Sequence, residues 1–380
     1  MQIVQMNDMN NTSNSQLSHN SIDPKNLQRF MEVVMSDLGG AYSAVLVYIG
    51  DKLGLYKAMN DAGTPITSHE LADLTETSER NIREWLANQA AGGYITYDAE
   101  TQKFWLPPEN ALALADENSP VYALGAFQAT MAFFKDSSKI MEAFRTGKGL
   151  QWGEHDPDLF LGTERFFKPG YRANIVSSWI PSLANGSVKG KLKHKKAVVA
   201  DVGCGHGIST IIMAKAYPNS KFIGFDNHPA SIKRARELAI EEGLREDQIK
   251  FEVSSATEYP LYPHTNEKYD LISFFDSLHD MGDPVRACSH ALKSLKSNGS
   301  VMIIEPFAND KLEDNLNPLG RLFYAASAMS CVPDSMAYNG LALGAQAGEA
   351  KTGEVVKAGG FKRFRRAIQT QFNIVYEARP

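Results

Sequence analysis

Residues 201–207 read DVGCGHG, and they directly follow the apolar run AVVA at residues 197–200. Three glycines at every second position give a backbone that can turn tightly and that a ligand can approach closely. A short, fully apolar run is typical of a strand buried on both faces of a parallel sheet. The stretch therefore predicts a loop between the first strand and first helix of an α/β sheet, where such folds bind ligands.

The sequence after residue 197 alternates between strand patterns and helix patterns. Seven segments predict strands, the last two by alternation alone: AVVADV, KFIGFD, IKFEVSS, YDLISFF, GSVMIIEPF, FKRFRRA and FNIVYEAR. Strands separated by helices imply parallel βαβ units with helices on both faces of the sheet. The predicted fold class is therefore α/β, a Rossmann-like seven-stranded sandwich.

The residues before this sheet predict helical structure. Apolar residues recur at helical spacing from Leu27 to Met59, and Gly39-Gly40 and Gly50 predict a break into two helices. Two capped helices and a hairpin, YITY to KFWL, follow in the order of a winged helix. The predicted domains are a disordered tail at residues 1–25, a winged-helix dimerisation domain at 26–110, a helical linker and substrate lid at 111–190, and the sheet domain at 191–380.

Charge and composition exclude several function classes. The chain has 380 residues and a formal net charge of −5, which argues against coating nucleic acid or an anionic membrane. Within residues 66–110, eight acidic residues oppose three basic ones, whereas phosphate contacts need the opposite sign. The three cysteines have no metal-site spacing, and no secretory leader or long apolar span is visible. We expect a cytoplasmic protein without metal, nucleic acid or membrane contacts.

Two ligand classes compete for the glycine loop. A dinucleotide site would have the spacing GxGxxG, but Ile208 stands where the third glycine belongs. Asp201 would repel a pyrophosphate and attract an ammonium group. Asp226, at the end of the second predicted strand, can accept hydrogen bonds from ribose hydroxyls, and NAD sites use the same contact. The loop therefore favours a nucleoside ligand with a positively charged end.

The spacing DxGxGxG resembles the first motif of class I S-adenosylmethionine (SAM) methyltransferases, and LHDMGD at residues 278–283 resembles the LHDWxD of plant-type small-molecule O-methyltransferases. With its winged helix, the chain looks closest to bacterial class I methyltransferases that carry such a domain. The resemblance implies SAM as the cofactor and a homodimer. It implies that SAM is bound by Asp201, Gly203, Gly205, Gly207, Asp226, Asn227, Ser255, Ala256, Phe275 and Asp276.

The resemblance also implies that His279 is the general base, a role that suits histidine near neutral pH. In many other class I enzymes a histidine at this place only caps the loop. In plant-type enzymes a downstream glutamate orients the histidine; counting back from GGF puts Gln346 there, with Glu349 one turn away. The candidates for the acceptor site are Trp152, His155, Tyr171 and Glu305.

The sequence thus predicts a SAM-dependent methyltransferase that acts on an oxygen or nitrogen of a small molecule. Three alternatives stay open: a methyltransferase acting on protein or RNA, a winged-helix DNA-binding regulator, and an NAD(P)-dependent oxidoreductase. The glycine spacing and Asp201 argue against the oxidoreductase. The negative charge of residues 66–110 argues against the regulator.

Overall fold

The computed structural model describes residues 22–262 and 267–380, so the predicted tail at residues 1–25 lies almost wholly outside the described residues. The described helices are α1 (Pro24–Lys52), α2 (Leu55–Ala62), α3 (Ser68–Leu74), α4 (Glu79–Ala91), α5 (Pro108–Leu114), α6 (Leu124–Lys135), α7 (Ser137–Thr146), α8 (Pro157–Asn174), α9 (Ile180–Ser182), α10 (Ser187–His194), α11 (Ile208–Ala216), α12 (Pro229–Glu241), α13 (Pro284–Ser294), α14 (Pro318–Ala326), α15 (Val332–Ala337) and α16 (Gly348–Ala358). Single 3-10 or π turns lie at Trp152–Glu154, Ile175–Trp179, Leu183–Gly186, Leu312–Asn315 and Ser327–Cys331.

The described residues form two sheets. The strands are β1 (Thr96–Asp98), β2 (Lys103–Trp105), β3 (Val198–Val202), β4 (Lys221–Asp226), β5 (Ile249–Val253), β6 (Tyr269–Phe275), β7 (Leu295–Pro306), β8 (Arg363–Gln369) and β9 (Asn373–Arg379). Strands β1 and β2 form the wing, and the other seven form one sheet in the order β5-β4-β3-β6-β7-β9-β8. The predicted seven-stranded α/β sheet is confirmed.

The order of the large sheet positions a ligand site. Strands β3 to β7 are parallel, and β9 runs antiparallel between β7 and β8. The order reverses between β3 and β6, so the loops after these two strands diverge to opposite sides of the sheet. A crevice opens at such a point, outside the carboxyl ends of the strands. Every residue of β3 is buried, as its apolar run predicts.

The N-terminal domain confirms the winged helix and corrects one boundary. Thr67 caps α3 in a reciprocal capping box with Glu70. Gly39-Gly40 and Gly50 do not divide the first helix, because α1 runs through them and ends before Gly54, whose φ is +69°. Gly50 has a packing role instead: a Cβ there would lie 2.6 Å from the Trp85 ring.

Helix α1 carries an uncovered apolar face. Its exposed large apolar side chains are Phe30, Val33, Met35, Leu38, Tyr42, Val45 and Ile49. By length and composition alone, α1 is the one helix of the described ranges that could cross a membrane, and 17% of its most apolar 18-residue window is buried. Core helices of soluble proteins meet the same criterion, so the expectation of no membrane contact stays a prediction.

The middle of the chain holds α8 over the large sheet. Helices α6 and α8 touch through two glycines: a Cβ on Gly125 would lie 2.6 Å from the carbonyl oxygen of Gly162. Arg165 of α8 pairs with both carboxylate oxygens of Asp51 at 2.6 and 2.8 Å, which ties α8 to α1. Partly buried, bidentate pairs of this kind fix the relative position of the two helices. As a result α8 is a fixed wall above the crevice.

Candidate active site

A cavity of about 660 Å³ lies where the sheet order reverses. Its floor is the loop after β3 and the ends of β4 and β6, and its walls come from α8, from the turn at Trp152 and from α15. Residues far apart in the chain therefore meet in one cleft. A space of this size falls in the range of small-molecule sites.

The glycine loop forms the floor of the cleft. Gly203, Gly205 and Gly207 have φ of +72°, +53° and +75°, which favours glycine at each place. A Cβ on Gly203 would lie 2.8 Å from Ser277, and one on Gly207 would lie 2.5 Å from Phe251. At Gly205 no heavy atom lies within 4 Å of that position. Gly205 thus leaves its backbone bare toward the cleft, as a closely bound ligand requires.

Asp201, which was expected among the SAM contacts, is buried and does not line the cleft. Its carboxylate is fully buried and accepts hydrogen bonds from the hydroxyls of Ser209 and Thr210, both 2.6 Å, and Ser273, 3.0 Å. Burial raises the pKa of Asp201, and the three hydroxyl donors oppose that rise. Asp201 therefore anchors the glycine loop to α11 and β6 from beneath.

Asp226 lies at the end of β4 and lines the cleft, as predicted. It accepts hydrogen bonds from the backbone N–H groups of Gly205 and His228, each at 2.8 Å. Burial raises the pKa of this carboxyl, and the two N–H donors work against the rise. The remaining oxygen lone pairs can accept hydrogen bonds from ribose hydroxyls. Asn227, Ser255 and Ala256 line the same side of the cleft.

Asp276 lies at the end of β6 with a φ of +48°, an uncommon conformation for a residue other than glycine. The Tyr171 hydroxyl donates to its Oδ2 at 2.7 Å, and the Asn373 amide donates to its Oδ1 at 2.9 Å. Burial raises the pKa of Asp276 to about 7. Phe275 and Tyr171 also line the cleft, but the Tyr171 hydroxyl is occupied by Asp276.

His279 is buried beneath the cleft wall rather than exposed in it. Its Nδ1 contacts Glu305 Oε2, and its Nε2 lies 2.8 Å from Oδ1 of Asp280, which does line the cleft. Burial disfavours the imidazolium, yet these two carboxylates raise the pKa of His279 well above its usual value. A ring held between two carboxylates reaches the cleft only through Asp280.

Glu305 corrects two predictions. It does not line the cleft as an acceptor contact, because it is buried on β7 against His279. It takes the orienting place that the resemblance assigns to a downstream glutamate. Gln346 donates to the backbone oxygens of Phe307 and Ala345 instead, and Glu349 pairs with Arg366.

Trp152 lines the cleft as predicted, but His155 does not. The His155 side chain is fully buried, and its Nδ1 lies 3.1 Å from Asp136. The short turn at Trp152–Glu154 directs the two rings to different neighbours. Burial lowers the pKa of His155, against the opposing effect of Asp136. His155 is therefore part of the core of the cap, the helical region at residues 111–190.

Several residues that line the cleft were not predicted from the sequence. Glu164 of α8 contacts His206 of the glycine loop at 2.7 Å, and Phe160 lies one turn earlier. Asp334 and Tyr338 come from the region around α15. A lone acid in the apolar context CVPDSM was the available clue to Asp334.

One group of potential metal-ligating atoms occurs in the described residues. Atoms of His279, Asp280 and Cys331 lie within 4.8 Å of one another. The ion pair between His279 and Asp280 accounts for much of this proximity without a metal. The expected metal independence stays a prediction.

Comparisons with known proteins identify two domains in the chain. Residues 193–354 match the family model of a methyltransferase domain, and residues 41–116 match a winged helix-turn-helix domain described as Rv2258c-like. A ubiquinone biosynthesis O-methyltransferase of Pasteurella multocida is 34% identical over 140 residues, 36% of this chain and 54% of that protein. A tRNA U34 carboxymethyltransferase of Campylobacter fetus subsp. fetus (strain 82-40) is 29% identical over 38% of this chain and 49% of that protein.

The solved structures extend the likeness to the whole fold. The structure of human N-acetylserotonin methyltransferase in complex with SAM has a TM-score of 0.63 and 17% identity, covering 94% of this chain and 98% of that one. At this identity the likeness shows the fold alone. The chain spans about half the length of the curated relatives it matches. The predicted resemblance to methyltransferases with a winged-helix domain is confirmed.

Proposed function

Since residues 193–354 match a methyltransferase domain and residues 41–116 a winged helix-turn-helix domain, we propose that this protein transfers a methyl group from SAM to an oxygen or nitrogen of a small molecule. The observation that carries the proposal is the bare backbone of Gly205 beside Asp226, at the point where the sheet order reverses. The cleft is large enough for a nucleoside and a second small molecule to meet.

The cleft residues fit SAM from end to end. Asp226 would accept the ribose hydroxyls, with Asn227 beside it and Ser255 and Ala256 toward the base. The backbone of the glycine loop would hold the methionine part, with Phe275 and Asp276 at its end. When bound, SAM supplies an electrophilic methyl group on a sulfonium. The protein's part is to hold the acceptor in line with that methyl and to remove a proton.

We place the proton acceptor at the pair formed by Asp280 and His279. The Asp280 carboxylate faces the cleft, and Nε2 of His279 lies 2.8 Å behind it. Glu305 on the other ring nitrogen keeps the imidazole oriented. A proton taken from the acceptor at Asp280 can pass to Nε2 when the ring is neutral. His279 thus stays in the proposal as the base, acting through Asp280.

Titration calorimetry with S-adenosylhomocysteine and with NADH tests the cofactor. We expect micromolar binding of S-adenosylhomocysteine at one site per chain and no heat with NADH. The reverse result would replace the methyltransferase proposal with an oxidoreductase.

The winged helix is proposed as a dimerisation module and not as a DNA reader. On α4, Arg80 and Arg83 lie beside Glu84 and Glu79, whose negative charge opposes phosphate binding there. A gel shift at low salt with random duplex DNA should show no complex. The tRNA-modifying relative makes RNA the second candidate acceptor, and the same assay with bulk tRNA tests it.

We further propose a cytoplasmic homodimer built on α1. The exposed apolar side chains of α1 form a face too large to leave in water, and a second copy offers the same face. The three cysteines are free and buried, as in proteins of a reducing compartment.

A further inference from the structure

The cleft is lined by far more negative than positive charge. Among its lining residues the only lysine or arginine is Arg286, and the acids are Glu164, Asp226, Asp276, Asp280, Asp283 and Asp334. Clefts with one sign of charge concentrate ligands of the opposite sign. The charge of the acceptor can therefore be inferred once the acids with other partners are set aside.

Three of the six acids already have a partner or a place in the cofactor site. Glu164 contacts His206, and Asp283 caps α13 through the backbone N–H of Arg286 at 2.8 Å. Asp226 holds the glycine loop. The Arg286 guanidinium pairs with Glu258 and neutralises none of the cleft acids.

The other three acids, Asp276, Asp280 and Asp334, also line the cleft. Within residues 22–262 and 267–380, no lysine or arginine lies within ion-pair distance of Asp276, Asp280 or Asp334. Oδ1 of Asp280 lies 2.8 Å from Nε2 of His279, and the Cys331 thiol lies close to both groups. An anionic acceptor would meet like charge from these carboxyls when they are ionised, and no lysine or arginine that lines the cleft offsets it.

Asp334 lies beside an aromatic residue of the cleft wall. Its Oδ1 accepts the backbone N–H of Trp152 at 2.7 Å. Trp152, Phe160 and Tyr338 line the cleft with it, and the rings of Trp152 and Phe160 lie 5.2 Å apart. Aromatic faces beside a carboxylate are the combination that proteins use for ammonium groups.

We infer that the methyl acceptor carries a protonated amine, which binds at Asp334 among Trp152, Phe160 and Tyr338. This inference rests on the proposed methyltransferase function and narrows its acceptor to organic amines. The ammonium is a recognition group. It orients the acceptor so that the atom to be methylated lies toward Asp276 and Asp280.

A matched pair of probes tests the inference: tyramine, and 3-(4-hydroxyphenyl)propionate, which has a carboxylate in place of the ammonium. Binding is measured by calorimetry on full-length protein saturated with S-adenosylhomocysteine. We expect tyramine to bind at least about tenfold more tightly than the propionate, because the carboxylate lacks the attraction and suffers the repulsion. Equal affinities, tighter binding of the propionate, or no tyramine binding would overturn the inference.

Asp334→Asn is the deciding variant. The amide can still accept the N–H of Trp152 but carries no charge, so the preference for tyramine should fall about tenfold while S-adenosylhomocysteine binds as before. Asp247→Asn, at an exposed carboxylate, is the matched control and should change neither value. An unchanged preference in Asp334→Asn would overturn the assignment of the site. If the wild-type protein does not bind S-adenosylhomocysteine, the proposed function itself is wrong.

Discussion

The hydroxyl of Tyr171 donates a hydrogen bond to Oδ2 of Asp276 at 2.7 Å, and this bond joins the helical cap to the end of β6. The bond helps to hold Asp276 in its left-handed backbone conformation beside the proposed methyl position. The cap therefore contributes a side chain to the proposed active site. It fixes a carboxylate that would otherwise be free to relax.

Removing that bond should loosen the site. We expect Tyr171→Phe to lower the free energy of unfolding by about 1 kcal/mol and to weaken S-adenosylhomocysteine binding several-fold. Thermal unfolding and calorimetry measure the two effects. Tyr97→Phe, on the exposed wing, is the control and should change neither. Full retention of affinity in Tyr171→Phe would show that Asp276 does not depend on the cap.

The glycine loop allows a separation of ligand contact from folding. The Cβ of Gly205→Ala would meet no protein atom but would stand on the backbone that the ligand approaches. We expect it to weaken S-adenosylhomocysteine binding at least about tenfold and to cost about 1–2 kcal/mol of backbone strain. Gly207→Ala places a Cβ 2.5 Å from Phe251 and should destabilise the protein more. Calorimetry and denaturant unfolding on both variants check this. Equal loss of affinity at similar stability would contradict it.

The ribose contact is tested at Asp226. Asp226→Asn should weaken S-adenosylhomocysteine binding by about 10- to 100-fold, the range for a hydrogen bond to a charged acceptor. Adenine alone, which has no ribose, should lose no affinity. If both ligands lose affinity equally, the carboxylate acts through the loop and not through the ribose.

The proton acceptor is tested at His279. We expect His279→Ala to keep S-adenosylhomocysteine affinity and to lose at least about 100-fold in turnover. The pKa of His279 is raised well above its usual range, despite its burial, by Asp280 and Glu305. Because the neutral ring is the base, wild-type turnover should rise with pH on the alkaline side, and any residual turnover of the variant should not. Unimpaired turnover would remove His279 from catalysis.

Asp334 should leave a signature in stability against pH. Burial raises its pKa to about 7, from a usual value of 3.8. Between these pH values the folded state holds a proton that the unfolded chain releases, so wild-type stability falls as pH rises from about 4 to 7. Asp334→Asn has no carboxyl to deprotonate, so it should not lose stability in this way. We expect it to be more stable than wild type by about 1–4 kcal/mol at pH 8, and to gain no stability from the missing carboxylate charge near pH 4. Denaturant unfolding at the two pH values checks the sign.

The dimer is tested by charge on α1. Replacing Val33 and Leu38 with glutamate puts two charges on the exposed apolar face. Sedimentation velocity should find twice the chain mass for wild type and a monomer for this variant. A monomeric wild type would contradict the dimer. Helix α1 would then need another partner for its apolar face.

The fold could be predicted from the sequence because the periodicity of apolar residues follows which side chains are buried. Each of the seven strands of the large sheet overlaps a segment that alternation or an apolar run predicted, but β7 begins before its segment, at Leu295, and β8 ends after its segment, at Gln369. Asp226 and the glycine loop lie where spacing places them. Gly50 shows the limit of local rules. Spacing predicted a break there, whereas the glycine serves a contact with Trp85 in another helix.

The directions of individual side chains could not be predicted from the sequence. A motif fixes where Asp201 and His279 stand in the chain, yet both point away from the cleft toward partners on other elements. Glu305 replaced the expected downstream glutamate because β7 runs beside β6 in space. Asp334 and Tyr338 were missed because they reach the cleft from around α15, which no local pattern connects to the glycine loop.

Methyl transfer is tested most directly by incubating the protein with a cell extract and methyl-labelled SAM and then separating the label by size. We expect label in the small-molecule fraction, dependent on the protein and strongly reduced with Gly205→Ala. Cation exchange should retain the labelled product if the acceptor is an amine. Label in protein or RNA would contradict the proposed acceptor class, and no transfer together with no SAM binding would contradict the function itself.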